Sequence, residues 1–265
     1  MTRIYIITDL EGISGVHDIS QIMDSKSKGH FDACERLIAD TNAAIRGAFD
    51  GGADEVYVTD GHGGGGNMEK AKSKLDSRAK LIKIFDMDLS AVKTDAFMHV
   101  GAHAMMGTQC AFLDHSRNSK TVFEYRYNGR PGGELAMAGM WAGAYDIPYI
   151  FVSGDQAVCD EARAFFGDIK VASVKYSVER NKANCMPNDE AEQLIYEQAK
   201  ASIALIGEKK IRPYKVTMPM EIVLEYTRAD YADGTYAVRT GIDRLDARTL
   251  RRIVPAIETY RDITI

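Results

Sequence analysis

Through the first 155 residues, short apolar runs rich in β-branched residues alternate with longer segments of helical period. Residues 4–8, 55–59, 81–85, 96–100 and 149–153 read as strands. Between the first two, residues 31–49 bring Cys34, Leu37, Ile38, Thr41, Ile45, Ala48 and Phe49 onto one helical face. Gly51-Gly52 supplies the left-handed end of that helix. Residues 121–127 followed by Asn128-Gly129 predict one arm of a hairpin, and residues 133–145 an Ala- and Met-rich helix. A further helix is expected to begin near Ala157, with Asp155 as its N-cap or as a group supporting the strand ends.

The C-terminal part predicts a helix over 189–206, a half-exposed strand over 215–226 and a closing helix over 246–260 with Leu250, Ile253, Val254 and Ile257 inward. Strands alternating with helices imply an α/β fold: a mainly parallel, Rossmann-like sheet flanked by helices, with a smaller α+β C-terminal portion. Residues 1–265 are expected to form a single α/β unit whose motifs lie in 1–155, the lobe from 170 to 265 not being clearly separable.

Composition narrows the class. Apolar residues make up 45% and charged residues 27%, as in soluble globular proteins. A net charge of -5 without a Lys/Arg stripe argues against nucleic acid as a partner. The apolar run at Met1–Asp9 is too short for a signal peptide, and none approaches the roughly 18 residues of a spanning helix. A cytoplasmic protein without membrane contact is therefore expected. Cys34, Cys110, Cys159 and Cys185 are scattered, so any metal must be held mainly by His and carboxylates.

Candidate chemistry gathers where a parallel sheet leaves its carboxyl edge open. Asp9 and Glu11 follow the first strand, Asp60 and His62 the second, and His103 the fourth. If extended backbone persists through Leu10, both carboxylates of the Asp9/Glu11 pair share a face, and a divalent cation between them removes their repulsion. Singly, each residue has a plainer explanation: Asp9 as a turn cap, Glu11 as a solvated acid, His62 and His103 as loop histidines. Glu134 in a first helical turn also suits the helix dipole. A different class is open too. Gly61, Gly63 and Gly66 after a strand, with Asp86 at the end of another, formally fit a dinucleotide-binding fingerprint, although the segment between has a thin apolar face. A structural metal tying strand ends together is a third reading, weakened by the lack of cysteine in the motifs.

Five segments in order are more specific. Thr8-Asp9-Leu10-Glu11-Gly12-Ile13-Ser14-Gly15 resembles the N-terminal Ser-x-Asp-x-Glu-Gly signature of the zinc D-aminopeptidases associated with dipeptide-transport operons. Asp60-Gly61-His62, Gly101-Ala102-His103-Ala104, Asp114-His115-Ser116 and Asn128-Gly129-Arg130-Pro131-Gly132-Gly133-Glu134 follow in that family's order. The resemblance implies two zinc ions per chain, Asp9 bridging them, Glu11 and His62 completing one site and His103 and Glu134 the other. It further implies His115 as nucleophile or acid–base group, short peptides as substrates, D-configured at the amino terminus if the preference carries over, and a ring-like homo-oligomer. Two departures stand out. Asp114 replaces a small residue and is placed to orient or charge His115, and four consecutive glycines follow His62.

Overall fold

The computed structural model describes residues 1–83, 89–90, 93–208 and 211–265. The chain opens with β1 (Arg3–Thr8), a short α1 (Ser20–Met23), α2 (Lys28–Asp50), β2 (Glu55–Asp60), β3 (Lys80–Ile82) and β4 (Ala96–Ala102). A hairpin of β5 (Val122–Tyr127) and β6 (Arg130–Pro131) leads into α3 (Glu134–Ala144), β7 (Tyr149–Asp155) and α4 (Gln156–Phe166). Then come β8 (Lys170–Glu179), β9 (Lys182–Cys185), α5 (Asn188–Ser202) and α6 (Ala204–Glu208). The chain ends through β10 (Met220–Tyr226), α7 (Ala229–Val238), β11 (Ile242–Arg244) and β12 (Thr249–Val254).

The main sheet has the order β3-β2-β1-β4-β7-β8-β9, parallel throughout except for the edge strand β9. From β1 the chain winds outward to β2 and β3, then returns to the other side of β1 for β4, β7 and β8. Right-handed crossovers running in opposite directions put α2 on one face and α3 on the other. Both faces of β1 and β4 are therefore covered, which is why these strands are largely apolar, with His99 of β4 buried among them. Tyr5, Phe97 and Trp141 interlock edge to face beneath α3, with ring centroids 4.7 to 6.2 Å apart. The reversal of winding between β1 and β4 opens a crevice at their carboxyl ends.

A second, antiparallel sheet, β11-β12-β10-β5-β6, draws strands from both halves of the sequence. Its hairpin turns at Asn128-Gly129, where φ values of +49° and +80° meet the left-handed requirement of a tight two-residue turn. No described helix is long and apolar enough to cross a membrane.

The closing helix expected over 246–260 is instead β12, paired with β10, and a single turn at Tyr260–Ile263. Leu250 and Val254 are buried and four residues apart, a spacing that falls on one face at either period, so the periodicity does not discriminate. Ile253, expected inward, is 49% exposed. Helix α7 lies where no helix was expected, and the helix over 189–206 divides into α5 and α6. The strand over 215–226 shortens to β10, and of that over 81–85 only its start, in β3, falls among the described residues.

Candidate metal centre

β1 ends at Thr8, yet the alternation survives into the following turn: Leu10 is fully buried in the core while Asp9 and Glu11 both face His62. Two glycines permit this close packing. The Asp9 N–H donates to the Val100 carbonyl at 2.9 Å, and the Gly12 N–H to that of Gly101 at 2.8 Å. A Cβ on Gly12 would overlap the Ala102 carbonyl, and one on Gly101 (φ +77°) the Asp9 carbonyl. The ends of β1 and β4 are thus pressed together because neither crossing residue has a side chain.

His62 follows β2. Its loop continues through Gly63, Gly64, Gly65 and Gly66, whose φ values of +58°, +85°, +93° and +96° explain the four-glycine run. Asp60 closes the loop by accepting the N–H groups of Asn67 (2.5 Å) and Met68 (3.0 Å). Short 3₁₀ turns follow rather than an α-helix, so no helix N-terminus is available for a pyrophosphate. The dinucleotide fingerprint of Gly61, Gly63 and Gly66 is thereby overturned; Asp86 lies outside the described residues.

His62 Nδ1 lies 3.1 Å from Asp9 Oδ1 and 2.9 Å from Glu11 Oε2. The other oxygen of Asp9, Oδ2, faces His103 Nε2 at 3.5 Å, and Glu134 Oε1 is 3.7 Å from the same nitrogen. His103 Nδ1–H donates to the Ala104 carbonyl at 3.0 Å, which leaves Nε2 turned to the acids. Glu134 opens α3, and its Oε1 accepts the Arg117 N–H at 2.6 Å. His115 stacks on His103 with centroids 3.9 Å apart, and its Nδ1–H donates to the Leu113 carbonyl at 2.8 Å. Two ligand clusters result, Asp9/Glu11/His62 and His103/His115/Glu134, each with its donor atoms within 4.8 Å of one another. All six residues singled out in the sequence therefore meet in one crevice, His115 closer to His103 than a remote acid–base group would require.

Asp114 does not serve His115. Its carboxylate accepts Arg180 Nε at 2.8 Å and the Gly107 N–H at 2.7 Å. Asp155 caps α4 through Val158 N–H (3.0 Å) and fixes Phe112 N–H (2.8 Å).

The electrostatics favour a cation. Burial alone lowers His62, but Glu11 and Asp9 outweigh it and push its pKa up to about 11. Burial likewise lowers His103, and Asp9, Glu11 and Glu134 together raise it to about 9. Glu11, whose burial would raise it, is held well below the usual carboxylate range by His62. Carboxylates that hold imidazolium protons this firmly form a site in which a divalent metal can replace those protons. Oxygen and imidazole donors without cysteine suit zinc in an open, reactive setting.

Sequence reasoning missed Lys175. It lies on β8, 2% exposed, and its Nζ donates to the carbonyls of Glu11 (2.8 Å) and Val16 (2.5 Å) while facing the Phe112 ring at 4.9 Å. Burial lowers its pKa to about 8 against the pull of surrounding Cys185 and acids. A lysine in an alternating strand ordinarily marks the solvent face, so no local signal identifies it as the anchor of the Glu11 loop.

A family model described as D-aminopeptidase matches residues 2–263. The D-aminopeptidase of Bacillus subtilis strain 168 is 30% identical over 241 residues, spanning 89% of this chain and 84% of that protein. The solved structure of the zinc-dependent D-aminopeptidase DppA from Bacillus subtilis, described as a self-compartmentalizing protease, is similar with a TM-score of 0.87 and 25% identity, covering 99% of this chain and 95% of that one. By family model, by sequence and by overall fold, the chain belongs to the D-aminopeptidase family of metal-dependent hydrolases.

Proposed function

We propose that the chain is a zinc aminopeptidase with two metal ions per subunit, cleaving short peptides that begin with a small, D-configured residue. The observation that carries this reading is the Asp9 carboxylate, one oxygen of which faces His62 and the other His103. Asp9 would be shared, Glu11 and His62 completing one site and His103 and Glu134 the other. Zinc held there supplies a Lewis acid for the scissile carbonyl and lowers the pKa of a coordinated water to about 7.

His115 moves the proton. With Nδ1–H bound to the Leu113 carbonyl, its Nε2 is the nitrogen left to take up a proton and return it to the leaving amine. A backbone carbonyl activates an imidazole less than a carboxylate does, which favours proton transfer over direct attack by His115. The description of the DppA relative as self-compartmentalizing motivates one extension, that this chain assembles into a closed homo-oligomer; a second sheet built from both halves of the sequence supports residues 1–265 acting as one catalytic unit within it.

Metal uptake should be coupled to proton release. At pH 7 both His62 (about 11) and His103 (about 9) hold protons in the metal-free centre, so binding should release roughly two protons per chain. The constant for loading both zinc ions then rises with pH by about a hundredfold per unit up to pH 9, about tenfold for each ion, and by about tenfold per unit above it, where only His62 still carries its proton. Calorimetry in buffers of different ionisation enthalpy measures this number directly; no proton release would remove the two histidines from the ligand set.

The aminopeptidase reading is tested by matched peptides with free and acetylated amino termini, in both D and L series. Acetylation is expected to lower kcat/KM by about tenfold to a hundredfold, the effect of leaving a polar recognition group unpaired. Equal rates would make the protein a general amidase or endopeptidase.

A further inference from the structure

The cleft over the centre has an order of charge that hydrolysis at the metals does not use. It encloses about 410 Å³, with buried Asp9 and Glu11 in its floor and Glu134 beside them. Its rim carries Arg117, Lys120 and Arg180, all three exposed residues. They are not equivalent. Arg180 is committed to Asp114 at 2.8 Å, a buried acid in the lining of the cleft. The Arg117 guanidinium reaches inward, 5.9 Å from the Tyr260 ring, where it hydrogen-bonds Tyr260 and faces Glu134, so it too is engaged. Lys120 is fixed through its backbone: its N–H donates to Asn118 Oδ1 at 3.0 Å and its carbonyl accepts the Thr227 hydroxyl at 2.8 Å. Among the described residues no carboxylate pairs with the Lys120 ammonium. A held loop therefore presents an uncommitted cation at the mouth of a cleft whose floor is acidic.

A short peptide with free termini has the complementary order, ammonium at one end and carboxylate at the other. We infer that Lys120 receives the C-terminal carboxylate of a short peptide whose amino terminus lies at the Asp9/Glu11/Glu134 floor, and so selects for peptides with a free carboxylate. This rests on the aminopeptidase reading. Ile19, Ile22 and Met23, in and just before α1, add an apolar part to the lining, suited to a substrate side chain. A volume toward the low end of ligand pockets fits substrates of this length. The rim lies away from the reacting carbonyl, so its charge acts on the bound ground state and transition state alike and changes KM rather than kcat.

The test compares D-alanyl-D-alanine with its C-terminal amide on the zinc-loaded enzyme, as wild type, Lys120→Ala and Lys120→Arg. For the wild type, amidation is expected to raise KM by about three- to tenfold, the range of a partly exposed charge-assisted pair, with kcat little changed. Lys120→Ala should raise KM for the free dipeptide by the same factor, leave the amide unaffected, and be rescued by Lys120→Arg. Equal KM for dipeptide and amide in the wild type overturns the carboxylate site while leaving the aminopeptidase reading intact. So does a Lys120→Ala effect that is the same for both substrates, which marks a structural role. Cleavage of neither by the metal-loaded wild type overturns the aminopeptidase reading and this inference with it.

Discussion

Replacing Asp9 by alanine is expected to strip both metal ions from the protein and to lower kcat/KM by more than about a thousandfold, beyond what loss of a single transition-state donor causes. The reason is geometric. Asp9 is the residue whose carboxylate faces both clusters, Oδ1 toward His62 and Oδ2 toward His103. Its orientation is fixed by the Leu10 N–H, which donates to Oδ1 at 2.8 Å, and by the backbone bond to Val100. Removing it takes one negative charge from the centre and one ligand atom from each cluster. Elemental analysis of the purified variant, with circular dichroism to establish that it folds, measures the effect. Retention of full metal occupancy by Asp9→Ala would remove Asp9 from the centre.

The second large effect is expected from His115→Ala: a loss of about 10²- to 10⁴-fold in kcat, the usual contribution of a positioned acid–base group, with metal content unchanged. Both parts of that statement are needed, because His115 lies with His103 and Glu134 as a possible ligand as well as over the cleft. A proton-transfer group leaves an inactive, metal-loaded enzyme when truncated. A ligand leaves a metal-depleted one. Metal analysis beside single-turnover kinetics separates them, and near-normal kcat would exclude His115 from the chemistry altogether.

Much of the centre was legible because its residues follow strands that the hydrophobic pattern marks clearly. Asp9, His62 and His103 come at or just past the ends of strands marked by short runs rich in apolar and β-branched residues, and a parallel sheet places such positions along one edge. Glu134 was legible as an acid at a helix start, but not the fact that α3 begins beside that edge. Contacts made across the sequence left no local trace. Asp114 reads as a neighbour of His115, and only the fold shows that Arg180, on the turn between β8 and β9, claims its carboxylate. Lys175 reads as solvent-facing and is a buried anchor. The C-terminal third was the least legible, because Leu250 and Val254 satisfy helix and strand periods alike and only pairing with β10 selects the strand.

The most direct measurement is anomalous diffraction at the zinc edge from crystals of the zinc-loaded protein. A centre bridged by Asp9 predicts two anomalous peaks per chain, one between the Asp9 carboxylate and His62/Glu11 and the other between it and His103/Glu134. A single peak, or a second peak remote from Asp9, would contradict the dinuclear account.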